Sequence, residues 1–363
     1  MTIIFLLDKL DIVKRLTYVM SITIKDVANK AGVSIATVSL ILSNNERIST
    51  ETKRRVLKAV KELDYHPSRS ARRLVANVTG NIGFILTDDH FLKTEPFYTR
   101  IFLGTEFATR ENEYYVLLAT VDTNFKEGDS LPQFIQERSV DGIIIAGKVP
   151  NALINNLDKY HIPIVFVDYY PPKGDYSVVM IDNIKGGMSA TQHLIEYNHR
   201  NIAFVGADIM HPSISYRLYG YKQALQNAGI NIREEFINTE GTYPNRQCGY
   251  SAVKKLFERN KDITAVFACN DAMAIGVMQY CVDNGIKIPD DISLIGFDDV
   301  EADLLLNPSL TTIRVPKVEM GIEAMNLIVS VIKNKLCQST KKIVVPVELI
   351  VRKSTMRIEN IEL

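Results

Sequence analysis

Apolar positions recur every three to four residues between residues 24 and 63. They are Ile24, Val27, Ala28 and Ala31, then Val38, Ile41 and Leu42, then Val56, Leu57, Val60 and Leu63. That period predicts three short amphipathic helices, each burying one stripe. The punctuation between them fits. Thr23 and Asp26 have capping-box spacing, with Asp in place of Glu. Gly32 ends the first helix, because glycine tolerates the left-handed conformation of a tight turn. Ser34 caps the second helix, Asn44-Asn45 makes a loop, and Ser49 or Thr50 opens the third. Two helices joined by a tight turn, with a third packed behind, form a helix-turn-helix. In that motif the second helix enters the major groove with its amino-terminal residues facing base edges.

From Asn81 onward the pattern changes. Unbroken aliphatic runs at Ile82–Leu86, Tyr115–Leu118, Gly142–Ile145 and Ile164–Val167 alternate with helical stretches such as Tyr98–Asn112. The pattern restarts at Ile202–Gly206, Ala265–Phe267 and Ile292–Gly296. Such runs predict parallel strands buried on both faces, arranged here in two similar doubly wound halves.

At 363 residues the chain is too long for one small core, and its 46% hydrophobic content excludes a mainly disordered protein. No apolar run reaches the ~18 residues of a membrane helix. The four cysteines, Cys248, Cys269, Cys281 and Cys337, are scattered, which argues against a disulfide framework or zinc site and fits a reducing cytoplasm. The net charge of zero hides an asymmetry. Residues 21–80 carry eleven Lys/Arg against five Asp/Glu, a net +6, whereas residues 81–363 carry 28 against 35, a net −7. A basic module on an acidic body fits a polyanion partner at one end, and equally a solvated helix face. Residues 1–20 have the wrong order for a signal peptide, with apolar Ile3–Leu7 preceding the charges. They read as an amphipathic extension or as upstream read-through before a start at Met20, and the second reading is preferred because organised sequence begins there.

No phosphate-binding glycine loop and no G-x-S-x-G elbow is present, and the six histidines show no metal-ligand spacing. Asp298 and Asp299 are adjacent carboxylates, which usually point apart. A non-enzyme with no metal and no cofactor is expected.

The residues of the first module carry a resemblance. The pattern D-V-A-x-x-A-G-V-S-x-x-T-V-S from Asp26 to Ser39, the Tyr65-x-Pro67 step and the Ala71-Arg72-x-Leu74 segment are similar to the headpiece of the LacI/GalR family of bacterial repressors. The resemblance runs from Ser21 to about Met356. It implies an all-α helix-turn-helix headpiece (21–65), a hinge helix and linker (66–79), and two doubly wound α/β lobes of periplasmic-binding-protein type. The first lobe would hold 80–181 plus 313–340, the second 182–312 plus 341–357, and a short tail 358–363. The crossovers would lie near Ile181, Thr312 and Thr340.

The resemblance also implies roles. Thr23, Ser34, Thr37 and Ser39 would contact phosphates, with Ser39 near base edges. Phosphate contacts set register without reading sequence. Ile35 and Ala36 occupy the main reading positions, and Leu40 stands where many relatives carry Arg or His. Polar bidentate readers are therefore missing, and a thymine methyl is the natural contact for Ile35 and Ala36. In the hinge, Leu74 would wedge into the minor groove, with Arg69, Arg72 and Arg73 beside phosphates and Ala71 on the same short helix. In the cleft, Arg217, Asn270 and Asp298 would hydrogen-bond an effector, Asp168 would stand beside them, and Phe97, Tyr98 and Tyr243 would line the pocket. For each aromatic, core packing is an equal alternative. Asp271 is read as a helix cap, and Phe297 as either cleft or core.

An Arg fork with two acceptors suits a polar ring. The implied partners are double-stranded operator DNA and a small-molecule effector, a sugar or sugar phosphate first and a nucleobase second. The branch that answers to a phosphorylated carrier protein tends to lack the arginine at position 217. The chain ends without room for a leucine-heptad tail, so a homodimer on a nearly palindromic operator is expected. A sugar-binding protein without a DNA role is the remote alternative.

Overall fold

The structure, a computed structural model, describes residues 22–42, 48–65, 78–92, 96–333 and 340–359. The chain divides into two compact units, Met1–Thr79 and Gly80–Leu363.

In the first unit three helices cover Ile24–Ala31, Ile35–Leu42 and Thr50–Glu62. Their cluster buries Val27, Ala28, Ala31, Val38, Ile41 and Val56, together with Ala59 and Tyr65. Asp26 closes the first turn by accepting from the Thr23 amide at 2.8 Å and the Thr23 hydroxyl at 2.7 Å. Gly32 stands at φ 63°, ψ 43°, the left-handed turn that lets the next helix start at once. Leu57 departs from expectation. It is 53% exposed, while Ala59 takes the inward place. The inward stripe of this helix follows Val56, Ala59, Val60 and Leu63, and Leu57 lies about 100° around the helix from Val56.

The second unit holds two parallel sheets. The first has the order β11-β5-β4-β3-β1-β2, built from β1 (Asn81–Thr87), β2 (Tyr115–Val121), β3 (Gly142–Ala146), β4 (Ile164–Val167), β5 (Ser177–Ile181) and β11 (Lys342–Val345). The second has the order β7-β6-β8-β9, from β6 (Ile202–Val205), β7 (Ile237–Asn238), β8 (Ala265–Ala268) and β9 (Ser293–Ile295). Strands β3, β4, β6 and β8 are buried along their whole length, as unbroken aliphatic runs require. The edge strands β2 and β11 are more exposed, with Tyr115 at 53%, Leu118 at 39% and Val344 at 48%.

The chain crosses between the sheets after Ile181, along β10 (Thr312–Arg314), and again before β12 (Glu348–Ile350). The latter two strands pair antiparallel, Ile313 opposite Leu349. The sequence reading put 341–357 with the second lobe. Strand β11 instead runs parallel to β5, with Ile343 opposite Val179, so the third crossover follows Val345. Nothing local to 342–345 says which sheet the segment extends. Residues beyond β12 do return to the second sheet: the Leu294 amide donates to the Ser354 carbonyl at 2.8 Å, and the Ile358 amide to that of Tyr197 at 2.9 Å. Among the described residues no helix is long and apolar enough to cross a membrane.

Candidate functional site

Two candidate surfaces emerge, one in each unit. In the headpiece, the Ser34 hydroxyl caps the second helix by accepting from the Thr37 amide at 3.1 Å and pairs with the Thr37 hydroxyl at 2.9 Å. Ser34, Ile35 and Ala36 are exposed on the helix's first turn, and Thr37 and Ser39 are partly exposed. Ile35 is 47% and Leu40 44% exposed, although the same helix buries Val38 and Ile41. Leaving such apolar side chains in water is unfavourable unless a partner covers them. Thr23 is exposed at the start of the first helix. Arg69, Ala71, Arg72 and Leu74 lie outside the described residues.

In the second unit a cavity of about 350 Å³ opens at the carboxyl ends of both sheets, where doubly wound sheets place their ligands. The first sheet contributes Asp168 just past β4, and the adjoining helix Phe97–Asn112 contributes Phe97 and Tyr98. The second contributes Asn270 just past β8 and Asp298 soon after β9. Arg217 comes from the helix Pro212–Asn227, and Tyr243 from the loop after β7. All seven residues singled out from the sequence line this one cavity.

Their bonding is uneven. The Tyr98 hydroxyl donates to Asp168 at 3.0 Å, and the Ser213 hydroxyl donates to its other oxygen at 3.1 Å. Asp168 is thus held between the lobes. Its φ is 59° and that of Asp298 is 119°, strained backbone of the kind that concentrates at functional sites. Arg217 is 5% exposed, with its guanidinium 3.7 Å above the Phe297 ring. Its Nε donates to Asn183 at 2.8 Å, and its Nη1 donates to the Cys269 carbonyl at 2.7 Å. The same nitrogen lies 3.6 Å from the Asp298 carboxyl. Burial pushes Asp298 up to about 7, and Arg217 only partly offsets this. Burial also pushes the Tyr98 hydroxyl well above its usual range, with the Asp168 carboxylate adding to the effect.

Asn270 lines the cavity, yet its side chain is already employed. It accepts from the Met273 amide at 2.9 Å and donates to the Pro244 carbonyl at 2.9 Å. Asn270 is therefore the helix cap, and the cap reading of Asp271 is corrected. Asp271 is fully buried, accepting from the Thr312 hydroxyl at 2.7 Å and the Val300 amide at 3.2 Å. Phe297 is fully buried core beneath Arg217.

Other lining residues escaped the sequence reading. His90 lies against Tyr98, with ring centroids 4.6 Å apart, and burial pushes it down to about 4. Burial lowers His211 as well. Lys148 and Asp208 pair at 3.0 Å. The signals were available: Lys148 and Asp208 follow β3 and β6, and Ser213 stands one helical turn before Arg217. Lys317, itself 8% exposed, donates to the carbonyls of Asp298 and Asp299 and ties down the segment after β9. Among the described residues no group of three or more His, Cys, Asp or Glu could hold a metal ion.

Comparison with known proteins finds relatives of both units. Residues 23–68 match the family described as bacterial regulatory proteins, lacI family, and residues 191–355 match the periplasmic binding protein-like domain. The chain is 33% identical over 335 residues to the HTH-type transcriptional repressor PurR of Histophilus somni strain 129Pt, covering 92% of this chain and 98% of that protein. It is 32% identical over 323 residues to catabolite control protein A of Priestia megaterium, covering 88% and 96%. A solved transcriptional regulator CelR–cellobiose complex superposes with TM-score 0.69 at 29% identity, covering 92% of this chain and 99% of that one.

Proposed function

This chain belongs to the lacI family of bacterial regulatory proteins, DNA-binding transcriptional regulators, and from that premise we propose that it represses carbohydrate-utilisation genes under control of a sugar or sugar phosphate bound in the inter-lobe cavity. The observation that carries the reading is the cavity itself. A buried arginine, an aspartate of raised pKa and three aromatic residues converge there from both lobes. Aromatic faces stack on sugar rings, while Arg217 and Asp298 offer a donor and an acceptor to ring hydroxyls. The CelR relative was solved with cellobiose, which favours a carbohydrate here.

The mechanism follows from differential binding. The exposed first turn of the helix Ile35–Leu42 reads an operator half-site, and a homodimer reads two. Ser34, Thr37, Ser39 and Thr23 anchor it to phosphates, while Ile35, Ala36 and Leu40 meet base edges. The hinge residues Arg69, Ala71, Arg72 and Leu74 complete the grip. The core has two arrangements of its lobes, and the effector favours the one it binds better, which sets how firmly the DNA is held. The work is done in the cytoplasm, where the DNA is.

The nucleobase alternative has its own support, because Phe97, Tyr98 and Tyr243 offer the flat faces that purines stack on. Titration of the intact chain with selected operator fragments, across salt and with sugars, sugar phosphates or purines present, distinguishes the readings. Expected are affinity that falls with salt and a shift on adding one ligand class. Salt-insensitive binding sinks the proposal.

A further inference from the structure

The charge around the cavity is unbalanced against an anionic ligand. Among the described residues two cations line it, Lys148 and Arg217, against four carboxylates, Asp89, Asp168, Asp208 and Asp298. The lining histidines, His90 and His211, add no positive charge at neutral pH, since burial holds both below their ordinary range.

Both cations already have protein partners. Arg217 spends Nε on Asn183 and Nη1 on the Cys269 carbonyl, with Asp298 beside it. Lys148 follows β3 on one lobe and donates at 3.0 Å to Asp208, which follows β6 on the other. Asp208 is itself fixed, because its second oxygen accepts from the Met210 amide at 2.9 Å. Of the helices that begin at the cavity, two are closed by their own caps, whereas Phe97–Asn112 and Pro212–Asn227 carry no side-chain cap. The Asn245 side chain accepts from the Cys248 amide, and that of Asn270 from the Met273 amide, each at 2.9 Å. Each cap takes one amide of its helix end away from an incoming phosphate. A dianion would have to break an existing pair and enter a field of net negative charge. A hydroxyl group, in contrast, can donate to the carboxylates already present.

We propose that the cavity selects an uncharged, hydroxyl-bearing ligand over its phosphorylated form, and that Asp208 sets this choice by occupying Lys148. The proposal rests on the reading of the cavity as the effector site and narrows its ligand class. Replacing Asp208 with Asn would free Lys148 for a charge-assisted contact while keeping the side chain's size and its acceptor for Met210.

Calorimetric titration of the full chain with inorganic phosphate tests this. The wild type should show no saturable phosphate binding in the millimolar range. Asp208→Asn should bind phosphate at least about tenfold more tightly than the wild-type limit. Adding Lys148→Met to that variant should abolish the gain. The pair is partly exposed, at 41% and 31% of the two side chains, so both variants should melt as the wild type does. Saturable phosphate binding by the wild type that Lys148→Met removes would overturn the proposal. So would a folded Asp208→Asn variant that gains none. A parallel arm with neutral sugars and their phosphates keeps the two readings apart. If no member of either set binds, the effector reading fails, while the phosphate arm still decides the charge filter.

Discussion

Gly187 and Gly220 lie against each other where the helices Asn183–Glu196 and Pro212–Asn227 cross. A Cβ at Gly187 would land on the carbonyl of Arg217, and one at Gly220 on that of Ile184. Each glycine faces the residue three before the other. The close crossing thereby fixes the backbone of the arginine that reaches into the cavity.

Gly187→Ala is therefore expected to act on the ligand without touching it. The methyl forces the helices apart or tilts them, at a cost of about 1–3 kcal/mol, and carries Arg217 out of line with Asp298. Urea unfolding should show the lost stability, and effector titration should show affinity reduced at least about tenfold. A destabilised variant with unchanged effector affinity would break the link between the crossing and the site.

Arg217→Ala should be destabilising in its own right, and more so as pH rises. The arginine is the cation beside a buried carboxyl that already sits at about 7. Asp298 binds a proton more tightly when folded than when unfolded, so stability falls as pH rises between its ordinary 3.8 and its folded value. Without Arg217 the folded value climbs further and the window extends above 7. The variant's deficit, about 3–5 kcal/mol for stranding a buried charge, should widen from pH 7 to pH 9 in denaturant titrations. A deficit independent of pH would mean that Asp298 does not feel Arg217.

Much of this was legible in the sequence because the signals are local. Apolar period placed the headpiece helices and most strands of both sheets, and the family resemblance pointed to Asp168, Asn270 and Asp298. Long-range choices were not legible. Nothing in Lys342–Val345 says that it joins β5, and only the folded chain brings Asp271 to Thr312 and Lys148 to Asp208. Leu57 and Ala59 show a subtler limit. Both are apolar on one helix, and only the third dimension puts alanine inward and leucine in water.

His90 gives a pH dependence of opposite sign. The ring is pushed from 6.5 to about 4, chiefly by burial, with repulsion from His211 adding to it. The unfolded chain then binds a proton that the folded chain refuses, so stability falls as pH drops from about 6.5 toward 4. His90→Phe keeps the ring against Tyr98 and removes the proton. Relative to this variant, the wild type should lose roughly 2 kcal/mol across that window, somewhat less than a fully buried ring would, given partial exposure. Parallel slopes for the two proteins would show that His90 is not the group responsible.

The headpiece separates reading from anchoring. Ile35 is 47% exposed and carries no charge, so Ile35→Ala would remove the proposed apolar contact with a base edge and leave phosphate neutralisation alone. Discrimination between operator variants at one base pair should fall by about 1 kcal/mol, while the slope of log affinity against log salt stays the same. Ser34→Ala should behave differently. It removes the acceptor of the Thr37 amide at 3.1 Å, weakening the start of the helix by about 1 kcal/mol. It also removes the proposed phosphate contact, so affinity should drop by a similar factor for every operator sequence. Competition binding on a set of single-base operator variants resolves the two patterns. Equal loss across all sequences for Ile35→Ala would show that this side chain anchors the helix and does not read the base.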